Sequence, residues 1–191
     1  MKRALTIVLL IAAAGAGLSA SARRATVARF SARSVEMTSP ARLSFRHVDI
    51  FVSQWSTDQD HRLLARTLLE KGPVSFVDVL CGYPPLGTIT VAGGGMFTIR
   101  YAWQTPDRDG GQRIYLASDE PISLTNSEVK RFPDAEPFYF MELRVDRHGD
   151  GLGRMSDAVR LSVDQSRNVI ELRDFERRPL HLLMVHDELG D

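Results

Sequence analysis

The clearest hydrophobic pattern in the chain lies between residues 138 and 185, where apolar and polar positions alternate with a period of two. Such alternation is typical of strands with one face buried against a core. Segments 138–145, 159–164, 169–175 and 180–185 predict a meander joined by turns at 148–153 and 165–168 and a break at 176–179. The first segment places on one face Tyr139, Met141, Leu143 and Val145.

Earlier segments predict further strands at residues 43–55, 87–91, 97–104 and 113–118. In the first of these, Phe45 and Val48 have opposite parity, which predicts a bulge near Arg46 and His47. Segment 97–104 alternates strictly and forms the clearest hairpin with 113–118, across a turn at 106–112. Its predicted apolar face carries Phe97, Ile99, Tyr101 and Trp103.

A helical pair is predicted over residues 58–81, inserted after the first strand. Thr57 is a suitable N-cap, and Asp58 and Asp60 suit the positive end of the helix dipole. Gly72 favours an end to the first helix, and Pro73 is suited to the first turn of the second.

Together these patterns predict an α+β, mainly β domain with an antiparallel meander of about seven strands that forms a barrel or a sandwich. Residues 119–137 are polar and contain three prolines, so we expect a long surface loop there. Loops of that length in compact domains are often functional or mobile.

The amino-terminal residues predict export. Lys2 and Arg3 precede an uncharged apolar run, and residues 20–22 (Ala-Ser-Ala) fit a small-x-small cleavage site. We therefore divide the chain into a signal peptide (1–22), a flexible leader (23–40) and one β-rich domain (41–191). The predicted location is periplasmic or secreted, in a bacterium, and no membrane span is expected in the mature chain because the apolar run is too short.

Charge and cysteine content narrow the classes further. The formal net charge is zero. It becomes −2 when the predicted signal peptide is removed, because that segment contains Lys2 and Arg3 but no acidic residue. No clustered basic face indicates a nucleic-acid partner. A single cysteine, Cys81, excludes an internal disulfide. Its position on the apolar face of a helix predicts a buried, inert thiol.

The chain carries no recognisable catalytic or phosphate-binding motif, so we predict no catalytic residue, no metal ligand and no cofactor. One partial match is a calcium-type loop that begins at Asp146, with Asp150, Gly151 and Asp157 at positions five, six and twelve. His148 at position three is a poor calcium ligand, and strands flank the loop. We therefore favour a hairpin turn over a calcium site.

Two groups of side chains invite a functional interpretation. Arginines on the polar strand faces are expected to form cross-strand pairs with Glu142 or Glu171 in preference to an anion site; they are Arg100, Arg113, Arg144 and Arg160. Aromatic residues are expected in the core, with a pocket for an apolar ligand as the alternative; they are Trp55, Tyr83, Phe97, Tyr101, Trp103, Tyr139 and Phe140.

Three stretches resemble a family of uncharacterised exported bacterial proteins. They are Gln54-Trp-Ser-Thr-Asp with the predicted helix after it, the hairpin from Arg100-Tyr-Ala-Trp-Gln to Ile122, and Met141-Glu-Leu-Arg-Val-Asp with the Gly151-Leu-Gly-Arg-Met-Ser and Ile170-Glu-Leu that follow. The resemblance covers residues 49–185. It implies no activity, cofactor or site residue.

The preferred functional hypothesis is a non-enzymatic binding module for a small apolar ligand or an envelope partner. A first alternative is a hydrolase-type enzyme with a dispersed acid/base site drawn from Asp119, Glu120, Asp134 or Glu136, near His47 or His61. A second alternative is a calcium-stabilised structural module.

Overall fold

The computed structural model describes residues 28–39, 42–119, 138–156, 161–164, 169–172 and 180–190. In chain order, the elements over these residues are β1 (Ala28–Ser39), β2 (Arg42–Val52), α1 (Asp58–Cys81), β3 (Gly87–Val91), β4 (Gly95–Ile99), β5 (Tyr101–Pro106), β6 (Gln112–Ser118), β7 (Tyr139–Val145), β8 (Asp150–Ser156), β9 (Leu161–Asp164), β10 (Val169–Leu172) and β11 (Leu180–Asp187).

Nine of the strands form one antiparallel sheet that is nearly closed into a barrel. Its strand order is β4-β3-β2-β1-β11-β8-β7-β6-β5. The last strand, β11, is inserted between β1 and β8. β9 and β10 pair with each other in a separate hairpin, and β9 contacts α1.

The two ends of the sheet are consecutive in sequence, because β4 runs into β5 through Arg100. The Arg100 amide donates to the carbonyl of Ala117 on β6. The free edge of β5 is covered by Ser56: its amide donates to the Ala102 carbonyl at 2.7 Å, and its hydroxyl accepts from the Ala102 amide at 3.1 Å. This pairing blunts an edge that would otherwise present unpaired backbone groups.

The predicted helical pair is present as α1, and it follows the second strand. Thr57 and Asp60 form a capping box, in which each side chain accepts a hydrogen bond from the other residue's backbone amide. Gly72 interrupts the helix with a φ of 82°, a left-handed conformation that favours glycine. The two helical segments therefore meet at an angle at the predicted position.

The barrel interior is filled by apolar side chains from all nine strands and from Leu86. Its fully buried members include Phe30, Val48, Ile50, Ile89, Ile99, Ile114, Met141, Leu143, Met155, Leu182 and Val185. Trp55, Phe97 and Leu180 pack against this interior cluster from its edges.

A second apolar layer lies outside the barrel, between α1 and the outer face of β5, β6 and β7. The helix contributes Leu64, Leu68, Phe76 and Leu80, and the sheet side contributes Tyr101, Ala117 and Phe138. The Phe76 and Phe138 rings lie 5.0 Å apart. Both faces of β5 are therefore covered, one by the interior and one by the helix.

Several sequence predictions need correction. Residues 28–39 of the predicted leader form β1, and Phe30 of this strand is a central interior residue. No bulge occurs at Arg46 and His47, because the β1–β2 register is continuous there and shifts only between Met37 and Ser39.

The predicted strand over 97–104 is two strands, and its parity reverses at Arg100. Phe97 and Ile99 face the interior, whereas Tyr101 and Trp103 lie under α1.

The predicted meander is also interrupted. Residues 150–156, which include part of the predicted turn, form β8, and this strand pairs with β7. β9 and β10 leave the main sheet, and β11 pairs with β8 and β1. The loop predicted at 119–137 lies, from residue 120 on, outside the described residues, as does the predicted signal peptide.

Candidate functional site

The outer face of the barrel carries a charged cluster centred on Glu142, in the middle of β7. Its side chain is only 3% exposed. Its register partners are Tyr115 on β6 and Arg154 on β8. Two residues further along, Arg113 and Arg144 pair with each other. Sheet register therefore brings three guanidinium groups around one buried carboxylate.

Both oxygens of Glu142 are occupied. Arg154 donates to Oε2. Oε1 lies 3.4 Å from Nε of Arg144 and 3.9 Å from Nη1 of Arg113. The contact of Arg113 with Glu142 confirms one predicted cross-strand pair. Arg144 contacts Glu142 along the same strand and not across strands, and Arg154 is an additional partner. Arg100 pairs with Asp119 and not with Glu142 as predicted, and Arg160 lies outside the described residues.

Arg113 has a second carboxylate partner in Asp107, which lies in the β5–β6 turn. Nε and Nη2 of Arg113 donate to the two Asp107 oxygens at 3.0 and 3.1 Å. These hydrogen bonds hold the pKa of Asp107 below its usual value. At neighbouring Tyr115, burial raises the pKa of the phenol, with the Glu142 carboxylate as the second cause.

Arg144 is the least engaged of the three arginines. Its side chain is 48% exposed, against 28% for Arg113 and 26% for Arg154. Its one hydrogen bond within the described part of the chain is the long contact from Nε to Glu142. The terminal nitrogens of this guanidinium are therefore open to another acceptor.

Exposed apolar residues adjoin Arg144. Its register partner on β8 is Leu152, which is 59% exposed. On β11, the register with β8 shifts between Leu182 and Val185. The two residues inside this bulge are exposed, Leu183 at 37% and Met184 at 67%.

Met184 has a φ of 52°, the only positive value of a non-glycine residue within the described ranges. This conformation costs a residue with a Cβ about 1–2 kcal/mol. β-Bulges are over-represented beside functional sites, where they redirect side chains. We refer to Arg144, Leu152, Leu183 and Met184 as the outer patch.

A second cluster joins α1 to the barrel. Nδ1 of His61 lies 2.7 Å from the Tyr101 hydroxyl, and the His61 ring stacks on Trp103 with centroids 4.5 Å apart and planes at 12°. Burial lowers the pKa of His61; the Asp58 charge opposes this shift, and Arg62 adds to it. Burial also raises the pKa of Tyr101. The His61 imidazole, whose charged form is disfavoured by burial, therefore joins the helix to β5.

The described residues of the predicted acid/base site each have a partner outside that site or on their own strand. Nε of Arg100 donates to Asp119 at 3.1 Å, and Nη1 of the same arginine donates to the Tyr83 carbonyl at 2.8 Å. His47 lies on β2, 3.3 Å from Asp49, and not on the element that carries His61. Glu120, Asp134 and Glu136 lie outside the described residues, so the hydrolase hypothesis stays a prediction.

Cys81 is exposed and not buried as predicted. Desolvation raises the pKa of its thiol, and a hydrogen bond with the Asp119 carboxylate acts in the same direction. Because the thiolate is the reactive form, this position does not favour a nucleophile.

The predicted calcium-type loop forms a hairpin turn between β7 and β8. Oδ1 of Asp146 accepts from the amides of His148 at 2.8 Å and Asp150 at 3.1 Å. These bonds lower the pKa of Asp146. Asp150 pairs with Nδ1 of His186 at 2.9 Å, and Asp157 lies outside the described residues. The part of the chain that the structure describes contains no cluster of three or more potential metal-ligating side chains.

The predicted aromatic set is divided between two layers. Trp55, Phe97 and Tyr139 contact the barrel interior, whereas Tyr83, Tyr101, Trp103 and Phe140 belong to the layer beneath α1. Within the described residues they do not converge on one shared pocket lining.

Comparison with protein-family models, curated proteins and solved structures found no match. None of the helices in the described ranges is both long enough and apolar enough to cross a membrane.

Sequence reasoning identified Arg144 and its partner Glu142 but missed the apolar members of the outer patch. Leu152 lies between two glycines in a segment that the sequence pattern predicts, in part, as a turn. Leu183 and Met184 lie in a predicted strand, but the bulge that exposes both of them has no sequence signal beyond their adjacency.

Proposed function

We propose that the protein is an exported, non-enzymatic binding module that holds a protein partner of the cell envelope on its outer patch. Export rests on the amino-terminal sequence pattern. The observation that carries the binding proposal is the exposure of Leu152, Leu183 and Met184 side by side on two paired strands.

The composition of the patch supports a protein partner. Methionine and arginine are enriched in protein–protein interfaces, and exposed apolar residues that adjoin one another mark interaction sites more often than scattered ones do. The bulge leaves Leu183 37% exposed and Met184 67% exposed, at a conformational cost to Met184.

A small apolar ligand inside the barrel is the other form of the proposal. The interior positions are occupied by packed apolar side chains, which favours the outer face as the binding surface. Native mass spectrometry of the protein purified from its own compartment separates the two forms. A small molecule bound inside the barrel adds a mass that denaturation removes. A protein partner on the outer patch adds no such small mass.

Site-specific photo-crosslinking in the producing cell tests the proposal directly. The change Leu152→p-benzoyl-phenylalanine places the crosslinker in the patch. Met96→p-benzoyl-phenylalanine is the matched control, because Met96 is 69% exposed and lies on β4, at the far end of the strand order. We expect one dominant protein adduct from position 152 and none from position 96, identified by mass spectrometry.

A second change distinguishes a specific adduct from non-specific association. Leu183→Ser removes an apolar member of the patch without touching position 152, so it should reduce the adduct severalfold. Equal crosslinking from positions 152 and 96, or an adduct that does not respond to Leu183→Ser, would refute the proposal.

A further inference from the structure

The charges around the outer patch are unequally shared. Arg154 is bonded to Glu142, and Arg113 is bonded to Asp107 through two parallel hydrogen bonds. Arg144 shares the same Glu142 oxygen that Arg113 approaches. Among the described side chains, these three guanidinium groups contact two carboxylates, and Arg144 has only its long contact to Glu142.

Arg144 is not required to neutralise Glu142. The Arg154 contact already supplies one charge for that buried carboxylate, and the Arg144 contact is a single Nε bond at 3.4 Å. A guanidinium needs two parallel N–H groups for its strongest interaction with an oxyanion. In Arg144 the terminal nitrogens remain available for that geometry.

The neighbouring charges limit what this arginine can accept. On β8, Asp150 bounds the patch on the side of the hairpin turn, where it pairs with His186. Within the described part of the chain, Arg144 is the exposed guanidinium beside two carboxylates that already have partners, and its single charge and planar fork match a carboxylate. Leu152 lies on β8, directly opposite Arg144 on β7, and can pack against an apolar residue next to the anion.

We infer that the partner places a carboxylate, from an aspartate, a glutamate or a chain terminus, against the terminal nitrogens of Arg144, next to an apolar side chain that packs on Leu152. This inference rests on the proposed function and specifies the chemistry of the partner. It assigns Arg144 the role of the charged anchor of the interface.

The test repeats crosslinking from position 152 in three backgrounds, with quantified adduct. Arg144→Gln removes the charge, Arg144→Lys keeps it without the planar fork, and Arg66→Gln is the matched control. Arg66 is an exposed arginine on α1, with one long contact to a carboxylate. We expect Arg144→Gln to lower the adduct about fivefold or more, Arg144→Lys to lower it less, and Arg66→Gln to leave it unchanged.

Salt provides a measurement that does not depend on a variant. The chain that carries only the crosslinker at position 152 is mixed with envelope extract at several salt concentrations. The amount of adduct should fall severalfold between about 0.05 and 0.5 M salt, because exposed charge pairs are screened. An adduct that is present but insensitive to both Arg144→Gln and salt overturns the carboxylate inference and leaves the proposed function intact. Absence of any adduct at position 152 overturns the proposed function itself. A salt-sensitive loss without an Arg144→Gln effect assigns the anchor to another residue and also overturns the inference.

Discussion

The buried carboxylate of Glu142 is expected to stabilise the fold through its contacts with three arginines. The change Glu142→Gln keeps the shape of the side chain and removes its charge. The three arginines around it then lose their shared counter-ion in a site where the central side chain is 3% exposed. We expect this variant to fold into the same barrel with reduced stability.

The magnitude follows from burial. Removal of one partner from a fully buried ion pair costs about 3–5 kcal/mol. The arginines here are 26% to 48% exposed, so water screens part of the loss. We therefore expect a decrease of about 2 kcal/mol in the free energy of unfolding, between the values for buried and surface pairs. For a domain of this size, that corresponds to a melting temperature lower by about 4–8 °C.

Thermal and urea denaturation followed by circular dichroism measure the effect, and a double-mutant cycle with Arg154→Gln isolates the pair. The control is Glu70→Gln, which breaks an exposed i,i+4 pair with Arg66 and should change stability by less than about 0.5 kcal/mol. A Glu142→Gln effect as small as that of the control, or a coupling energy near zero with Arg154, would refute the view that Glu142 organises the cluster.

Three further predictions address the backbone and the helix contact. In chemical denaturation, the free energy of unfolding of Met184→Gly should exceed that of the exposed-strand control Met96→Gly by about 1 kcal/mol, because glycine relieves the strain of the positive φ at position 184. Equal free energies for the two variants would contradict this strain. Gly151→Ala would place a Cβ 1.7 Å from the Arg144 carbonyl oxygen, so we expect a loss of about 3 kcal/mol in the same assay. His61 has a folded pKa below its unfolded value, so the unfolded state binds more protons and stability should fall as the pH drops below about 6.5; the melting temperature of His61→Asn should fall less between pH 7 and pH 5 than that of the unchanged chain, and identical pH profiles would exclude this role.

The local elements were largely predictable because they depend on neighbouring residues. The cap at Thr57 and the break at Gly72 were expected from residue type, and both are present. Strands β6 and β7 match their alternating segments. β8 was missed because Gly151 and Gly153 leave few apolar positions to show alternation.

Pairings between distant strands and the parity change at Arg100 could not be predicted in the same way. Alternation in 97–104 places aromatic residues on one face, but β5 is covered on both faces, so Ala102 faces the interior while Tyr101 and Trp103 meet α1. In the same way, the exposure of Met184 depends on how β11 fits between two strands. Pattern analysis could name Arg144 and Glu142 as partners but could not identify what surrounds them.

The position of β11 between β1 and β8 has a consequence for how the protein reaches its final state. β1 begins at residue 28, and its partner β11 ends at residue 187. The β1–β2 hairpin can form early in synthesis, but one edge of β1 and one edge of β8 remain unpaired until the last strand has been made. Contacts so distant in sequence slow folding, and open edges favour association between chains. A chain that stops before residue 180 would therefore keep most of its strands but leave one edge of β1 and one edge of β8 unpaired. We expect such a truncation to cause aggregation before it causes a measurable loss of secondary structure.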